Sequence, residues 1–370
     1  MIIAQLVQRF NPGGLETMVL ALGQHLSQQH QLHYFSLEGS TEQLKDEWPL
    51  LRQFKHVHGL GKTSGLDWQL PQRLRQQLRQ QQVQCLHSHH IGPLLYGALA
   101  CAGASPIVQL HTHHDAWHLR QPKARWLTRL ALATSGATSV ANADNVAQQL
   151  QALGCGVDAV VLNRVDTNRF CPADKAQARQ QLQLQLPQQA WLFGAVARLV
   201  PVKQLQLLVQ ALVSLPPSAQ LVLAGDGPCR QSLQQLAQQL KVASRCHFLG
   251  HHDQPELVYQ ALDQYCLCSA DEGAPMALWE AQSCGLPVLC ADVGSCAQLL
   301  CPSSSRLLTA AESWSAALQQ AHQTATQHRL AAAQQQAARA FALASGGLEA
   351  MASEYQHQYQ HHYQQLLAEG

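Results

Sequence analysis

The chain has 370 residues, 46% of them hydrophobic and only 13% charged, enough apolar material for about two buried cores and too much for a disordered polymer. Its 24 basic and 23 acidic side chains leave a formal net charge of +1, which excludes nucleic-acid binding driven by bulk charge. Surface polarity must then come from neutral groups, and glutamine tracts at 76–84 and 177–189, with 20 histidines, supply it on solvated helix faces.

In chain order, the first half predicts a strand at IIAQLVQ and a helix from Glu16 to about Gln28. Strands follow at LHYFSL, HVHGL, CLHSHH, PIVQLHTH, TSVAN and AVVLN, with helical stretches after most of them. Apolar runs alternating with helical periods are the pattern of a parallel sheet covered by helices. Residues 167–188, with Pro172 and Pro187 and no strand character, read as the connection between two domains. A second series follows at AWLFGAVARL, QLVLAGDG, CHFLG, QYCLCSA and LPVLCAD, and beyond Ser313 the chain turns helical. Tyr355, Tyr359 and Tyr363 recur every four residues, an aromatic stripe best read as the packed face of a terminal helix.

The 12 cysteines include no CxxC pair and sit largely inside apolar runs, where a thiol behaves as a small hydrophobe in a reducing compartment. Gln5, Gln8 and Arg9 interrupt the opening apolar run, so no secretory signal is expected. No apolar run reaches the roughly 18 residues of a membrane span.

Wound α/β domains bind ligands beyond the carboxyl ends of their strands, and several residues there carry chemistry. Gly13 and Gly14 follow the first strand and lead into a helix whose amides could hold a phosphate; an ordinary loop is the plain alternative. Arg198 and Lys203, five residues apart in ARLVPVK, could clamp a diphosphate, against the alternative of a solvated basic loop. Glu272 precedes a Gly-Ala-Pro turn, and Glu280 follows eight positions later amid Ala277, Leu278 and Trp279, where an unpaired carboxylate would be costly. Two such acids suit sugar and ribose hydroxyls.

The histidines at 87–90 and 111–115 look at first like a metal site. Asp115 is the only nearby carboxylate, and neutral imidazoles can instead bond a polyhydroxylated ligand or shield developing positive charge, while a compositional bias towards Gln and His accounts for some of them without any function. Between 117 and 132, Arg120, Lys123, Arg125 and Arg129 lie among Trp117, Trp126 and Leu127. An ordinary surface helix with a buried apolar face is the plainer reading there; a basic surface resting on anionic lipid is the alternative.

Seven motifs in order resemble the retaining GT-B glycosyltransferases of family 4. They are GGLE at 13–16, HDAW at 114–117, NRVDTNRF at 163–170, RLVPVK at 198–203, AGDGP at 224–228, HFLG at 247–250, and E-x7-E from Glu272 to Glu280. The resemblance covers about residues 1–310 and implies two Rossmann-like doubly wound domains facing across a cleft, with a helical tail. Residues 1–165 would form the acceptor-side domain and 166–345 the donor domain, with 346–370 packing back on the first.

By the same resemblance, Arg198 and Lys203 neutralise the diphosphate of a nucleotide-sugar donor without a metal or other cofactor. Glu272 touches the transferred sugar beside the backbone of Gly273, Ala274, Pro275 and Met276, and Glu280 holds the ribose. His247, Phe248 and Leu249 line the base, and Gly13 and Gly14 let the first loop approach the phosphates. His114 is the histidine near the reacting sugar, with His111 and His113 as alternatives. The implied acceptor is a glycan or lipid-linked sugar of cell-surface polysaccharide synthesis, handled in the cytoplasm or at the inner face of the membrane.

Two departures stand out: Arg164 replaces a hinge glycine, and Gln204 replaces the glycine after Lys203, so altered loop geometry is expected at both. A sugar-nucleotide epimerase and a non-catalytic nucleotide-sugar binding protein are the competing classes. A dinucleotide-dependent oxidoreductase is disfavoured, since no GxGxxG follows a strand.

Overall fold

The computed structural model describes residues 1–102 and 107–369, so Pro106, at the head of one expected strand, and Gly370 lie outside the described residues. Two compact units emerge, one of residues 1–163 with 348–370, the other of residues 164–347.

The strands of the first unit are β1 (Ile2–Val7), β2 (Gln31–Glu38), β3 (Val57–Lys62), β4 (Cys85–His89), β5 (Val108–His113), β6 (Thr138–Ala141) and β7 (Ala159–Val160). They pair in parallel in the order β3-β2-β1-β4-β5-β6-β7. The chain leaves β1 in one direction and returns beside it at β4, which makes the gap between those two strands the switch point of the sheet. Helices cover the faces by simple periodicity. In Leu70–Gln80 the leucines at 70, 74 and 78 are buried while Gln72 and Gln76 between them are exposed, as the glutamine tract predicts.

The second unit repeats the plan with β8 (Trp191–Val196), β9 (Ala219–Ala224), β10 (Cys246–Gly250), β11 (Gln264–Leu267), β12 (Val288–Ala291) and β13 (Arg306–Leu308). Their order is β10-β9-β8-β11-β12-β13, with the switch point between β8 and β11. Side chains alternate between two cores: Phe193, Leu221 and Leu223 fill one face, and Leu192, Val222 and Leu267 the other. The edge strand β13 is not predicted from the sequence. Only three residues long and set in a Ser/Pro-rich stretch, it is held by pairing to β12, and its own composition announces nothing.

The segment 167–188 differs from expectation too. Rather than a bare connection, it is part of the second unit, with a helix at Lys175–Gln181 capped by Asp174. Asp263 pins it, accepting from Lys175 Nζ and Arg179 Nη2 at 2.7 Å each and from the Leu192 amide at 2.8 Å. Arg169 makes a two-pronged pair with Glu256. These acids lie some 85 residues downstream, beyond the reach of local pattern reading.

All 12 cysteines are free thiols and eight are buried, consistent with their apolar settings. No helix among the described residues is long and apolar enough to cross a membrane. The final helix, Gly347–Glu369, buries Met351, Ala352, Tyr355 and Tyr359 completely.

Candidate functional site

At the switch point of the second unit the loops after β8 and β11 meet. Beyond β8 the backbone stays laddered to the loop after β9: Ala197 N donates to Ala224 O and Leu199 N to Asp226 O, both at 2.9 Å. Only glycine permits that approach. A Cβ on Gly225, at φ +127°, would lie 1.9 Å from Ala197 O, and one on Gly227, at φ +154°, would lie 2.5 Å from Leu199 O. Arg198 stands between the two anchored residues, exposed, with no side-chain hydrogen bond or ion pair among the described residues.

A short turn, Pro201–Lys203, follows. It is stitched to the strand-end residues after β11, where Ala270 N donates to Val202 O at 2.8 Å and Cys268 Sγ to Lys203 O at 3.1 Å. Gln204 closes the turn in the left-handed region at φ +47°. Glutamine here adopts a conformation that glycine favours. Arg164 is not among the non-glycine residues of positive φ, so its position asks nothing of glycine.

These contacts bring Lys203 and Glu272 together. Lys203 Nζ donates to Glu272 Oε1 at 2.5 Å, and Ser269 Oγ donates to the same oxygen at 2.5 Å. Glu272 is 7% exposed, so the pair is worth more than a surface ion pair, by a charge-assisted bond of about 1.5–3 kcal/mol. The loop is held from behind by Gly294 and Ser295. Ser295 N donates to Gly273 O at 3.0 Å, and a Cβ on Gly294, at φ +56°, would lie 2.0 Å from Glu272 O. Helix Met276–Ser283 starts immediately after. The amides of Gly273, Ala274 and Met276 donate to nothing among the described residues, and such unspent N–H groups at a helix start favour an anion.

Glu280, half-buried on that helix, accepts from Tyr259 Oη at 2.6 Å. Burial pushes its pKa up, and the tyrosine bond draws it back. The carboxylate that looked costly among apolar neighbours thus has a buried partner. Burial first, and then the charges of Glu280 and Glu272, push the Tyr265 hydroxyl up. His247 Nε2 bonds Gln220 Oε1 at 3.1 Å, while Phe248 and Leu249 pack against the cores on opposite faces of the sheet.

In the first unit, Gly13 caps helix Gly14–Leu26 in an extended conformation. The carboxylate of Glu16 lies against it, 2.5 Å from where a Cβ would stand, whereas Gly14 meets nothing within 4 Å. An acid already sits beside the amides expected to hold a phosphate, which weakens that expectation electrostatically.

The histidines sort by the alternation of β5. His111 and His113 share one face: His111 Nδ1 bonds Ser88 Oγ at 2.9 Å, and both ring nitrogens of His113 are buried with no hydrogen-bond partner among the described residues. His114, just past the strand, bonds His89 Nδ1 through Nε2 at 3.0 Å and Asn142 Nδ2 through Nδ1 at 3.4 Å. Burial, more than the neighbouring imidazoles, lowers the pKa of His113 to about 4 and of His114 to about 3. All are neutral at pH 7. Among the described residues no three His, Cys, Asp or Glu side chains are placed to hold a metal.

Sequence reasoning missed Ser269, Tyr259, Gly294 and the partners of His114. Ser269, three residues before Glu272, was within reach of a local reading; Tyr259, 21 residues from Glu280, was not.

Residues 12–169 match the family model described as Glycosyltransferase Family 4, and residues 176–341 the one described as Glycosyl transferases group 1. EpsF of Bacillus subtilis, named as a glycosyltransferase, is 25% identical over 313 residues, 78% of this chain and 79% of that protein. A D-inositol 3-phosphate glycosyltransferase of Mycobacteroides abscessus is 38% identical over 138 residues, but the match spans only 30% of its length. The crystal structure of HepE from Anabaena, solved with UDP and glucose, superposes with a TM-score of 0.81 at 22% identity, covering 97% of this chain and 99% of that one. At that identity the superposition establishes the fold.

Proposed function

The chain belongs to the family-4 glycosyltransferases of GT-B fold, and from that premise we propose that it transfers a sugar, with retention of anomeric configuration, from a nucleoside diphosphate donor held by its second unit. The carrying observation is the meeting of Lys203 and Glu272 at the switch point of that unit, beside three unspent amides.

Charge dictates the roles. As the donor's glycosidic bond lengthens, negative charge grows on the leaving diphosphate and positive charge on the sugar. Lys203 has three N–H donors and gives one to Glu272; the others, with Arg198 and the helix-start amides, are assigned to the diphosphate. Cationic side chains then do what a metal does in other transferases. Glu272, fixed from two sides, is assigned to the sugar hydroxyls. Glu280, oriented by Tyr259, is assigned to the ribose, and the β10 segment His247–Leu249 to the base. His114, uncharged and held by both nitrogens, is assigned to the transferred sugar.

A uridine donor heads the candidates, because HepE was solved with UDP. The acceptor is proposed to be a glycan or lipid-linked sugar of cell-surface polysaccharide synthesis, reached from the cytoplasmic face of a membrane. Helix Pro122–Ser135 supports that placement. It buries only Thr128 and Ala131 while Trp126 is 62% and Leu130 44% exposed, beside exposed Lys123 and Arg129. An ordinary surface helix would turn those apolar groups inward; facing outward among cations, they suit an anionic lipid surface.

The test is incubation with UDP-, GDP-, ADP- and CDP-sugars and a lipid-linked acceptor, with and without EDTA, reading the product's anomeric configuration by NMR. A retained product formed equally in EDTA is expected. An inverted product, or loss of transfer in EDTA, would contradict the proposal.

A further inference from the structure

The sheet of the first unit encloses a continuous chain of hydrogen bonds that ends at His114. His114 Nε2 meets His89 Nδ1 at 3.0 Å, and His89 Nε2 meets Gln5 Oε1 at 2.8 Å. Gln5 Nε2 donates to Tyr359 Oη at 3.3 Å, and that hydroxyl meets His87 Nδ1 at 2.7 Å. His87 Nε2 meets Thr112 Oγ1 at 2.8 Å, which meets Tyr355 Oη at 3.0 Å. Gln5, His87, His89, Thr112, Tyr355 and Tyr359 are all fully buried.

Burial keeps each imidazole neutral, so each carries one proton, and the Gln5 amide decides where. Its carbonyl requires the His89 proton on Nε2. His89 Nδ1 is then bare and accepts from His114 Nε2–H, leaving His114 Nδ1 as an acceptor that faces the Asn142 amide. On the other side, Tyr359 accepts from Gln5 and so donates to His87 Nδ1. Were the amide reversed, every one of these protons would move to the opposite nitrogen. What Tyr359 contributes is the oxygen that accepts the Gln5 amide N–H; without it that end of the amide has no partner and neither orientation is held.

We propose that Gln5 and Tyr359 are positioning residues for His114: through His89 they fix its proton on Nε2 and keep Nδ1 an acceptor, whose single lone pair a sugar hydroxyl takes over from the Asn142 amide at 3.4 Å. The last clause rests on the assignment of His114 to the transferred sugar; the coupling itself rests on the hydrogen bonds alone. The terminal helix thereby becomes part of the site it backs, in addition to packing.

The test is long-range proton–nitrogen NMR of the histidine-labelled full-length protein, which distinguishes the two tautomers, with His114→Gln to assign the signal. A single Nε2–H tautomer is expected in the wild type. Tyr359→Phe and Gln5→Met should each give a mixture of tautomers and lower kcat about tenfold, with KM for the donor unchanged. Tyr363→Phe serves as the control, since that hydroxyl lies on the same helix but accepts from Gln84 Nε2, outside the chain; it should alter neither reading. Retention of the wild-type tautomer in both variants would overturn the coupling, and a shifted tautomer with unchanged kcat would overturn its role in the reaction. Because the NMR reading needs no turnover, a tautomer shift in a protein that transfers no sugar would uphold the coupling while removing the transferase assignment.

Discussion

Changing Lys203 to alanine deletes the cation bound to Glu272 and leaves that carboxylate with Ser269 alone. Both the proposed diphosphate contact and the hold on Glu272 would be lost, so kcat is predicted to fall by about a hundredfold or more, the scale of one preorganised electrostatic group. Arg198→Ala should reach a similar loss without disturbing the fold, because that side chain is exposed and unpaired among the described residues. Transfer at the wild-type rate by either variant would remove the phosphate assignment. Glycines supply a second contrast. Gly294→Ala forces a Cβ against the Glu272 carbonyl at a positive φ, and the neighbour is backbone that cannot swing aside. A loss of about 1–3 kcal/mol is predicted, with reduced kcat. Gly14→Ala meets open space inside a helix and should leave stability unchanged or raise it by about 0.5–1 kcal/mol. Thermal denaturation of the two variants decides, and equal melting temperatures would show that the Gly294 contact constrains nothing.

The helix Pro122–Ser135 marks where reading by sequence stops. Its cations and tryptophan are visible in the chain, yet which face is buried depends on its packing against helix Ile91–Cys101, a neighbour in space. Lipid attraction through its outward face predicts that the protein floats with vesicles containing anionic phospholipid and not with neutral ones, and that Lys123→Glu with Arg129→Glu abolishes flotation. Flotation unaffected by lipid charge would contradict this. The terminal helix shows the reverse case. A four-residue tyrosine period was enough to read a packed face: Tyr355 and Tyr359 are fully buried and Tyr363 half-buried. Their hydroxyl partners on β1, β4 and β5 could not be read, since no spacing connects residue 359 with residue 5. The same holds for β13, whose three residues become a strand only because β12 offers a free edge.

Across the molecule, the two parallel sheets were legible because buried parallel strands write continuous apolar runs, whereas their strand order emerged only from the structure. The charged half of the site was legible for a related reason: in so charge-poor a chain, acids and bases directly after strands stand out. The histidines give the two units different responses to acid. Buried imidazoles in the first unit, among them His33 and His113 held to about 4 and His114 to about 3, stay neutral in the fold but take up protons near 6.5 once unfolded. The unfolded chain then binds more protons, so stability is intact above about pH 7 and falls as pH drops towards 4. For His113 alone the fall from 6.5 to about 4 corresponds to roughly 3 kcal/mol. Hydrogen exchange followed from pH 7.5 to pH 5 should show the first unit opening before the second; simultaneous opening would contradict the assignment of neutral buried histidines.

The most direct test of a donor site at the second switch point is hydrogen exchange with mass spectrometry in the presence of UDP, GDP, ADP or CDP. One of the four is predicted to slow exchange in residues 198–203 and 272–277, and Lys203→Ala should abolish that protection. No protection by any of them, or protection confined to other segments, would contradict the site.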